Sequence, residues 1–437
     1  MATDEQTKGS RLLRSPAFKF FLIVLLTVAM AVPLFFIQLL LSDREQTASG
    51  AATDVAAGWG GPQVVAGPML FVPYTQAGDP TRRTAVVLPE NLDLRVQAGS
   101  GTRSRGIFAI PVYRADIKLH ATFDKAALAR AVPPDAVIAW GDVSVAIRVS
   151  DAHGLADNVT LVANGRKIPF GAGIDAGAAT KTSGIQAPLS LSGPADLTLD
   201  TQFSLRGSRE FSVAPLGRRT TASISSPWNS PSFFGPFLPV DRVVNADGFK
   251  ASWVVPYLAR GFGQSFETSD GAMGQIEQPA FGARFYMPVD YYQVIERSLK
   301  YAILFIALAF LAFFVMETVS PRRLHAMHYA LVGAAQVLFY LLLLSLSEHA
   351  GFASAYLAAS VATVALTSLY AASVLASRLR GAVMGAVLGS LYGLFYVILN
   401  AQDEALLIGS ALLFLALAAT MYATRKIDWY AATGAAA

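Results

Sequence analysis

The 437-residue chain contains no cysteine. Disulfides, thiolate metal sites and thiol catalysis are therefore excluded. A lack of thiols also suits a folded domain held outside the cytosol. Charge is scarce as well, with Asp, Glu, Lys and Arg at 15% against 54% hydrophobic residues. The long apolar runs contain no Asp, Glu, Lys, Arg or His at all. Ion- and proton-coupled carriers need such groups inside the bilayer, so that mechanism is poorly supported. There is no His-Glu-x-x-His, no Walker A loop and no Gly-x-Ser-x-Gly elbow, which removes the usual signatures of zinc proteolysis, ATP hydrolysis and serine hydrolase chemistry.

The formal charge is +4, but its distribution rejects nucleic acid as a partner. Acidic and basic residues balance between Asp43 and Leu299, and the excess lies at the ends of apolar runs. Charge in that position orients membrane helices rather than binding phosphate.

What the sequence has in abundance is hydrocarbon. Apolar runs occupy 20–41, 301–316, 329–347, 352–376, 382–399 and 405–423. A spanning helix needs about 20 such residues, because the hydrocarbon core is about 30 Å thick. Lipid offers no hydrogen-bond partners, so the runs must be helical. The first run is longer than the roughly 7–15 apolar residues of a signal peptide, which makes it an uncleaved anchor. Pro33 is expected to interrupt it.

Lys and Arg set the direction of threading. Lys8, Arg11, Arg14 and Lys19 place the amino terminus in the cytoplasm. Arg322 and Arg323, then Arg378 and Arg380, then Arg425 and Lys426 mark later cytoplasmic segments, whereas the turns at 347–350 and 400–404 carry neither residue type. The expected fold is therefore an integral membrane α-helical protein with six transmembrane helices and a large, mainly β, sandwich-like periplasmic domain between helices 1 and 2. Its expected layout is a cytoplasmic 1–19, helix 1 at 20–41, the periplasmic domain at 42–297, helices at 298–317, 328–347, 352–376, 382–400 and 404–423, and a cytoplasmic 424–437.

Within 42–297, period-two alternation at 117–123, 143–150 and 197–205 predicts half-buried strands. Turn signals at 163–165, 192–194 and 206–208 suggest antiparallel neighbours. Asp124 reads as the N-cap of a short helix over 125–131. The Gly-, Ala-, Thr- and Ser-rich 171–186 reads as a loose loop.

Particular wording narrows this picture. YAILFI at 301–306, LFYLLLLSLSEH at 338–349, TRKIDWY at 424–430, AGPMLFVPY at 66–74, RGIF at 105–108 leading to PVY at 111–113, the stretch 228–239 and PVDYY at 288–292 together resemble the CreD family of bacterial inner-membrane proteins. The resemblance runs over essentially all of the chain after residue 15. It implies a role in cell-envelope integrity, within a regulon controlled by a sensor kinase and response regulator. It supplies no catalytic residues.

Three groups of residues are candidate sites. Glu348 and His349, with Asp403 and Glu404, lie at the outer ends of two spans. Together they would form a carboxylate–imidazole cluster, or else they are ordinary interfacial turns. Trp228, Phe233, Phe234 and Phe237 lie among prolines as a rigid aromatic platform for a partner or lipid, or as a loop buried in the domain. Gly381, Gly385, Gly389 and Gly393 recur every four residues as a helix-packing stripe, against another span or in a homodimer. His325 and His328, three apart and without a third ligand, read as solvated histidines. No metal, cofactor or catalytic group is predicted. The bilayer is the expected partner, with an envelope protein or a second copy as further partners. The leading expectation is a non-enzymatic protein of envelope maintenance. The alternatives are a transporter or channel-like protein for a lipid or envelope precursor, and a lipid- or cell-wall-modifying membrane enzyme using Glu348 and Asp403.

Overall fold

The computed structural model describes residues 16–175, 182–268, 275–285, 291–318, 320, 324–401 and 404–425. Asp403, Arg322, Arg323, Lys426 and the amino-terminal Lys8, Arg11 and Arg14 lie outside the described residues. The chain divides into two compact units, Met1–Thr47 with Val289–Ala437, and Ala48–Pro288.

The first unit is helical. Helices α1 (Pro16–Ala29) and α2 (Ala31–Trp59) are separated only by Met30. The break falls where Pro33 dictates it. Proline lacks the N–H that would bond the Ala29 carbonyl, and its ring crowds that carbonyl. The flanking bonds, Met30 N to Leu26 O at 3.0 Å and Leu34 N to Met30 O at 3.3 Å, survive.

A short helix of the second unit, α3 (Lys125–Arg130), comes next in the chain. The bundle is completed by α4 (Tyr291–Thr318), α5 (Ala326–Ala350), α6 (Phe352–Val374), α7 (Arg378–Asn400) and α8 (Ala405–Thr424). Packing contacts run α4 to α5, α5 to α6, α6 to α7 and α7 back to α4, so these four close a ring. α1 lies on α4 and α5, and α8 on α4 and α7. The ring interior is aromatic, with Phe305 stacked on Phe395 at 3.9 Å and Phe339 edge-on to Tyr340, Tyr356 and Tyr392. Lipid tails are as apolar as leucine, so such shape-matched packing and interhelical hydrogen bonds hold the bundle, not a hydrophobic drive. Among the described residues, five helices are long and apolar enough to cross a membrane, and Leu406–Tyr422 is a shorter apolar helix.

The second unit is β-rich. Among the described residues its two sheets contain ten and eight strands and share one hydrophobic core. The alternation read from the sequence is the burial pattern seen: from Tyr113 to Phe123 and from Leu197 to Gly207 every second side chain is buried. These two strands pair antiparallel from Leu197↔Phe123 to Ser208↔Val112. The RGIF segment is the tip of a long hairpin, with Arg105 opposite Phe108 and Gly106 at φ +61°. Asn164 and Gly165, both at positive φ, close the hairpin between Thr160–Ala163 and Arg166–Pro169. α3 is capped as expected, Asp124 Oδ1 accepting from Ala126 N at 3.1 Å.

Three features differ from the sequence reading. The first long helix does not stop at 41 but continues to Trp59, and the first strand, Gln63–Gln76, begins only after it. Segment 171–186 is not a loose loop in its described part. Gly171–Ile174 and Thr182–Pro188 pair antiparallel, and 176–181 lie outside the described residues. Residues 206–208 are not a turn but the end of a strand. Glycine stands at 207 because the Tyr113 ring occupies the place of a side chain there.

Candidate functional site

In the second unit, the end of α2 is gripped by a collar of polar and aromatic contacts. The Trp59 ring lies under the Arg103 guanidinium at 3.8 Å and near that of Arg206 at 5.2 Å. Its indole N–H donates to Tyr113 O at 3.3 Å. Gly60, at φ +129°, ends the helix where a side chain would strike the Arg206 carbonyl. Beyond it, the fully buried Gln63 donates to the carbonyls of Asp151 and Arg206, both at 3.0 Å, and accepts from Asp151 N. Partial burial of the Asp151 carboxyl favours the neutral form. Hydrogen bonds from Gly61 N and from His153 outweigh it and hold its pKa below the ordinary carboxylate range. Cation–π contacts of this kind contribute about 0.5–2 kcal/mol. Trp59→Ala is therefore expected to lower the stability of the β-rich unit by about 1–2 kcal/mol, read as earlier thermal unfolding. Trp59→Phe, which keeps the ring face, is expected to restore about half of the loss.

In the helical unit, Glu348 is the member of the predicted polar cluster that is engaged. Its side chain is 8% exposed, accepts from Tyr292 OH at 3.1 Å and lies 3.8 Å from Arg44 Nε. A carboxylate near the C-terminal end of α5 opposes the helix dipole, which is why a cation and a donor are needed beside it. His349 is exposed, and its Nδ1 pairs with the carbonyl of its own turn, Ser345 O, at 3.2 Å. Glu404 is exposed, and its side chain makes no cap hydrogen bond to α8. Among the described residues no group of three or more His, Asp and Glu comes together to hold a metal ion.

A second buried carboxylate escaped the sequence reading. Glu317, 7% exposed, is the last residue but one of α4, at the opposite end of the bundle. It pairs with Lys19 of α1, and accepts from Leu324 N at 2.8 Å and from Tyr329 OH at 2.9 Å. One carboxylate thus joins α1, α4 and α5. The signal was present: a lone acid directly after the apolar run 301–316, and a lone lysine directly before the run 20–41. Lys19 and Arg44 stand about 37 Å apart along a helix at 1.5 Å per residue. That exceeds the hydrocarbon core of about 30 Å and falls short of the full bilayer of about 40–45 Å. Both ion pairs therefore fit the headgroup zones, one at each face.

The aromatic residues 228–237 are half-buried. Trp228, Phe233 and Phe237 pack against the domain core. Phe233 meets Phe249 and Trp253 edge-on at 5.7 and 5.9 Å, Phe237 meets Phe281, and Trp228 meets Phe285. Phe234 lies beneath the Arg284 guanidinium at 5.1 Å. Pro231–Phe234 is a strand at the end of the ten-stranded sheet, paired antiparallel with Phe281–Phe285. The glycine stripe splits. A Cβ at Gly381 or Gly385 would strike Ala372 or Ser368 of α6, whereas at Gly389 or Gly393 it would meet nothing within 4 Å. His325 is the N-cap of α5, its Nδ1 accepting from Met327 N at 3.2 Å, and His328 pairs with Tyr370 OH at 2.7 Å. Both histidines serve helix ends and helix contacts.

A family model described as Inner membrane protein CreD matches residues 15–430. The chain belongs to the CreD family. The Inner membrane protein CreD of Escherichia coli (strain K12) is 34% identical over 414 residues, covering 92% of this CreD-family chain and 90% of that protein. The match takes in both the apolar helices and the β-rich unit, so the chain is a bacterial multi-pass inner-membrane protein of this family. Among solved structures, the crystal structure of an M1 zinc metallopeptidase from Deinococcus radiodurans is similar over 38% of each chain at 10% identity. Its TM-score of 0.20 carries no argument.

Proposed function

We propose that this CreD-family chain is a non-enzymatic inner-membrane protein that supports cell-envelope integrity, crossing the membrane six times with both termini cytoplasmic and the β-rich unit in the periplasm. The observation that carries this reading is the use made of the buried carboxylates. Glu317 and Glu348 are consumed in tying helices together at the two ends of the bundle. Groups fixed in this way brace a scaffold. The alternation of Lys- and Arg-bearing turns supports the direction of threading. A transporter would need a polar path from face to face. The groove between α6 and α7 is lined by hydrocarbon and aromatic side chains with Ser360 among them, which favours the scaffold.

The absence of cysteine allows a direct test of the threading. Single cysteines introduced at Asp247, His349 and Leu379 are exposed positions in the β-rich unit, at the end of α5 and at the start of α7. In intact spheroplasts, an impermeant maleimide is expected to label the first two, and Leu379→Cys only after permeabilisation. The reverse pattern would overturn the orientation. For function, a strain lacking the protein is expected to show envelope sensitivity to detergent that the intact chain restores. Glu348→Gln, which leaves a hydrogen-bond acceptor for Tyr292, is expected to restore it too. Loss of complementation by this variant, with unchanged protein level, would favour chemistry at Glu348 instead.

A further inference from the structure

We infer that the groove between α6 and α7 is a built site for one acyl chain of a bilayer phospholipid. The two helices leave the tight turn at 375–377 in contact. Gly381 meets Ala372, and Gly385 lies where a Cβ would come within 2.8 Å of Ser368 Oγ. Further along they part. At Gly389 and Gly393 the same stripe faces open space, and a cavity of about 640 Å³ opens between the helices. Gly389 and Gly393 form its floor on α7, and Leu357 and Val361 stand on its α6 wall.

The chemistry of the walls selects the occupant. Tyr396 lines the groove, as do Tyr356 and Tyr392, whose hydroxyls turn away from it, to Tyr392 O at 2.6 Å and to Gln336 Oε1 at 2.5 Å. The groove therefore receives their ring faces. Ser360 also lines it, is 8% exposed, and its hydroxyl lies beside that of Tyr356 one turn away. An occupant must be apolar along most of its length. Length decides between the remaining hydrocarbons. On α6 the lining runs from Ala353 to Ala365, about 18 Å at 1.5 Å per residue. Half of the hydrocarbon core is about 15 Å. The groove therefore spans one leaflet and closes near the middle of the bundle. That is the reach of a phospholipid acyl chain entering from one face. A polyprenyl chain would overrun it, and the helix of a second copy would need a groove continuing through the closed half. With the orientation proposed above the chain belongs to the outer leaflet, but the occupancy itself does not rest on that orientation.

The test uses the full-length protein in bilayer nanodiscs containing a phospholipid with a diazirine at mid-chain. After photolysis and digestion, adducts are mapped by mass spectrometry. Labelling is expected to concentrate at least fivefold on the segments 353–365 and 389–396 over the lipid-facing α8 segment 406–422, which is apolar and largely exposed. Gly389→Leu and Gly393→Leu place branched side chains in open space, and each is expected to reduce groove labelling at least fivefold while leaving α8 labelling unchanged. Labelling of the wild-type chain spread evenly over all lipid-facing helices would overturn the inference, and this arm needs no variant to fold. So would groove labelling unaffected by either leucine. Efficient crosslinking of Gly389→Cys between two copies would assign the groove to a dimer instead.

Discussion

Glu317→Ala is expected to destabilise the helical unit by about 3–5 kcal/mol, the cost of breaking a buried ion pair from one side. The size follows from what is left behind. Removing the carboxylate strands the Lys19 ammonium, the Leu324 N–H and the Tyr329 hydroxyl, all of which it satisfies. Leu324 N and Tyr329 OH are buried, and an unsatisfied buried donor costs about 1–3 kcal/mol. In a unit of this size each kcal/mol moves the melting temperature by about 2–4 °C. The loss should therefore appear as a fall of about 10 °C in detergent, together with increased proteolysis near the α4–α5 connection. Glu317→Gln keeps an acceptor for one of the two buried donors and is expected to fall between. Lys19→Met leaves the carboxylate with Leu324 N and Tyr329 OH and should cost less than Glu317→Ala. The double variant Lys19→Met, Glu317→Ala should recover part of the larger loss, because the stranded cation is gone. A Glu317→Ala protein as stable as the wild type would show that α1 is held by packing alone.

The features legible in the sequence are those that depend on one segment and its solvent. A helix in hydrocarbon has no wet face, so 329–347 reads as a continuous apolar run and forms α5. A strand with one face in a core alternates, so 117–123 and 197–205 declare themselves. Asp124 and Asn164–Gly165 are local conformational devices and act as read. What depends on distant partners was hidden. The segment 42–59 has no apolar stripe and reads as linker. Its helix is held by Ala51 and Ala52 against Ile110, and by Trp59 against two arginines, from strands more than 40 residues away. The parallel pairing of Gln63–Gln76 with Glu210–Val213 joins segments separated by more than a hundred residues, and no local pattern encodes it. At the candidate site, Glu348 was visible as an acid at a helix end, but its partners Tyr292 and Arg44 come from two other helices. The aromatic residues 228–237 look alike on a surface or folded inward. Only the positions of Phe249, Trp253 and Phe281 settle which.

The glycine stripe turns on the same distinction. Gly381→Leu is expected to be severely destabilising, and Gly389→Leu, two turns further on, to be tolerated. At Gly381 a Cβ would lie 2.9 Å from the Ser368 carbonyl oxygen and 3.0 Å from Ala372 Cα. These are backbone atoms of α6 and cannot rotate away, so α6 and α7 must separate. Overpacking costs about 1–3 kcal/mol and occasionally more, and here the whole leucine side chain must be housed where even its first carbon does not fit. The gain of about 0.8–1.0 kcal/mol from replacing glycine in a helix does not offset it. The tight 375–377 turn holds the two helices close at this point, and Arg380, adjacent to Gly381, bonds Ser320 Oγ at 3.0 Å and would be displaced with it. At Gly389 the same substitution meets open space and retains the propensity gain. The two proteins should therefore separate clearly by thermal unfolding and by monodisperse yield after extraction, with Gly381→Leu at least 6 °C below Gly389→Leu, on the order of 2 kcal/mol for a unit of this size. Equal stability would mean that the stripe packs uniformly and that α6 and α7 do not part. The converse order would place the close approach at the groove end and leave no room there for a lipid chain.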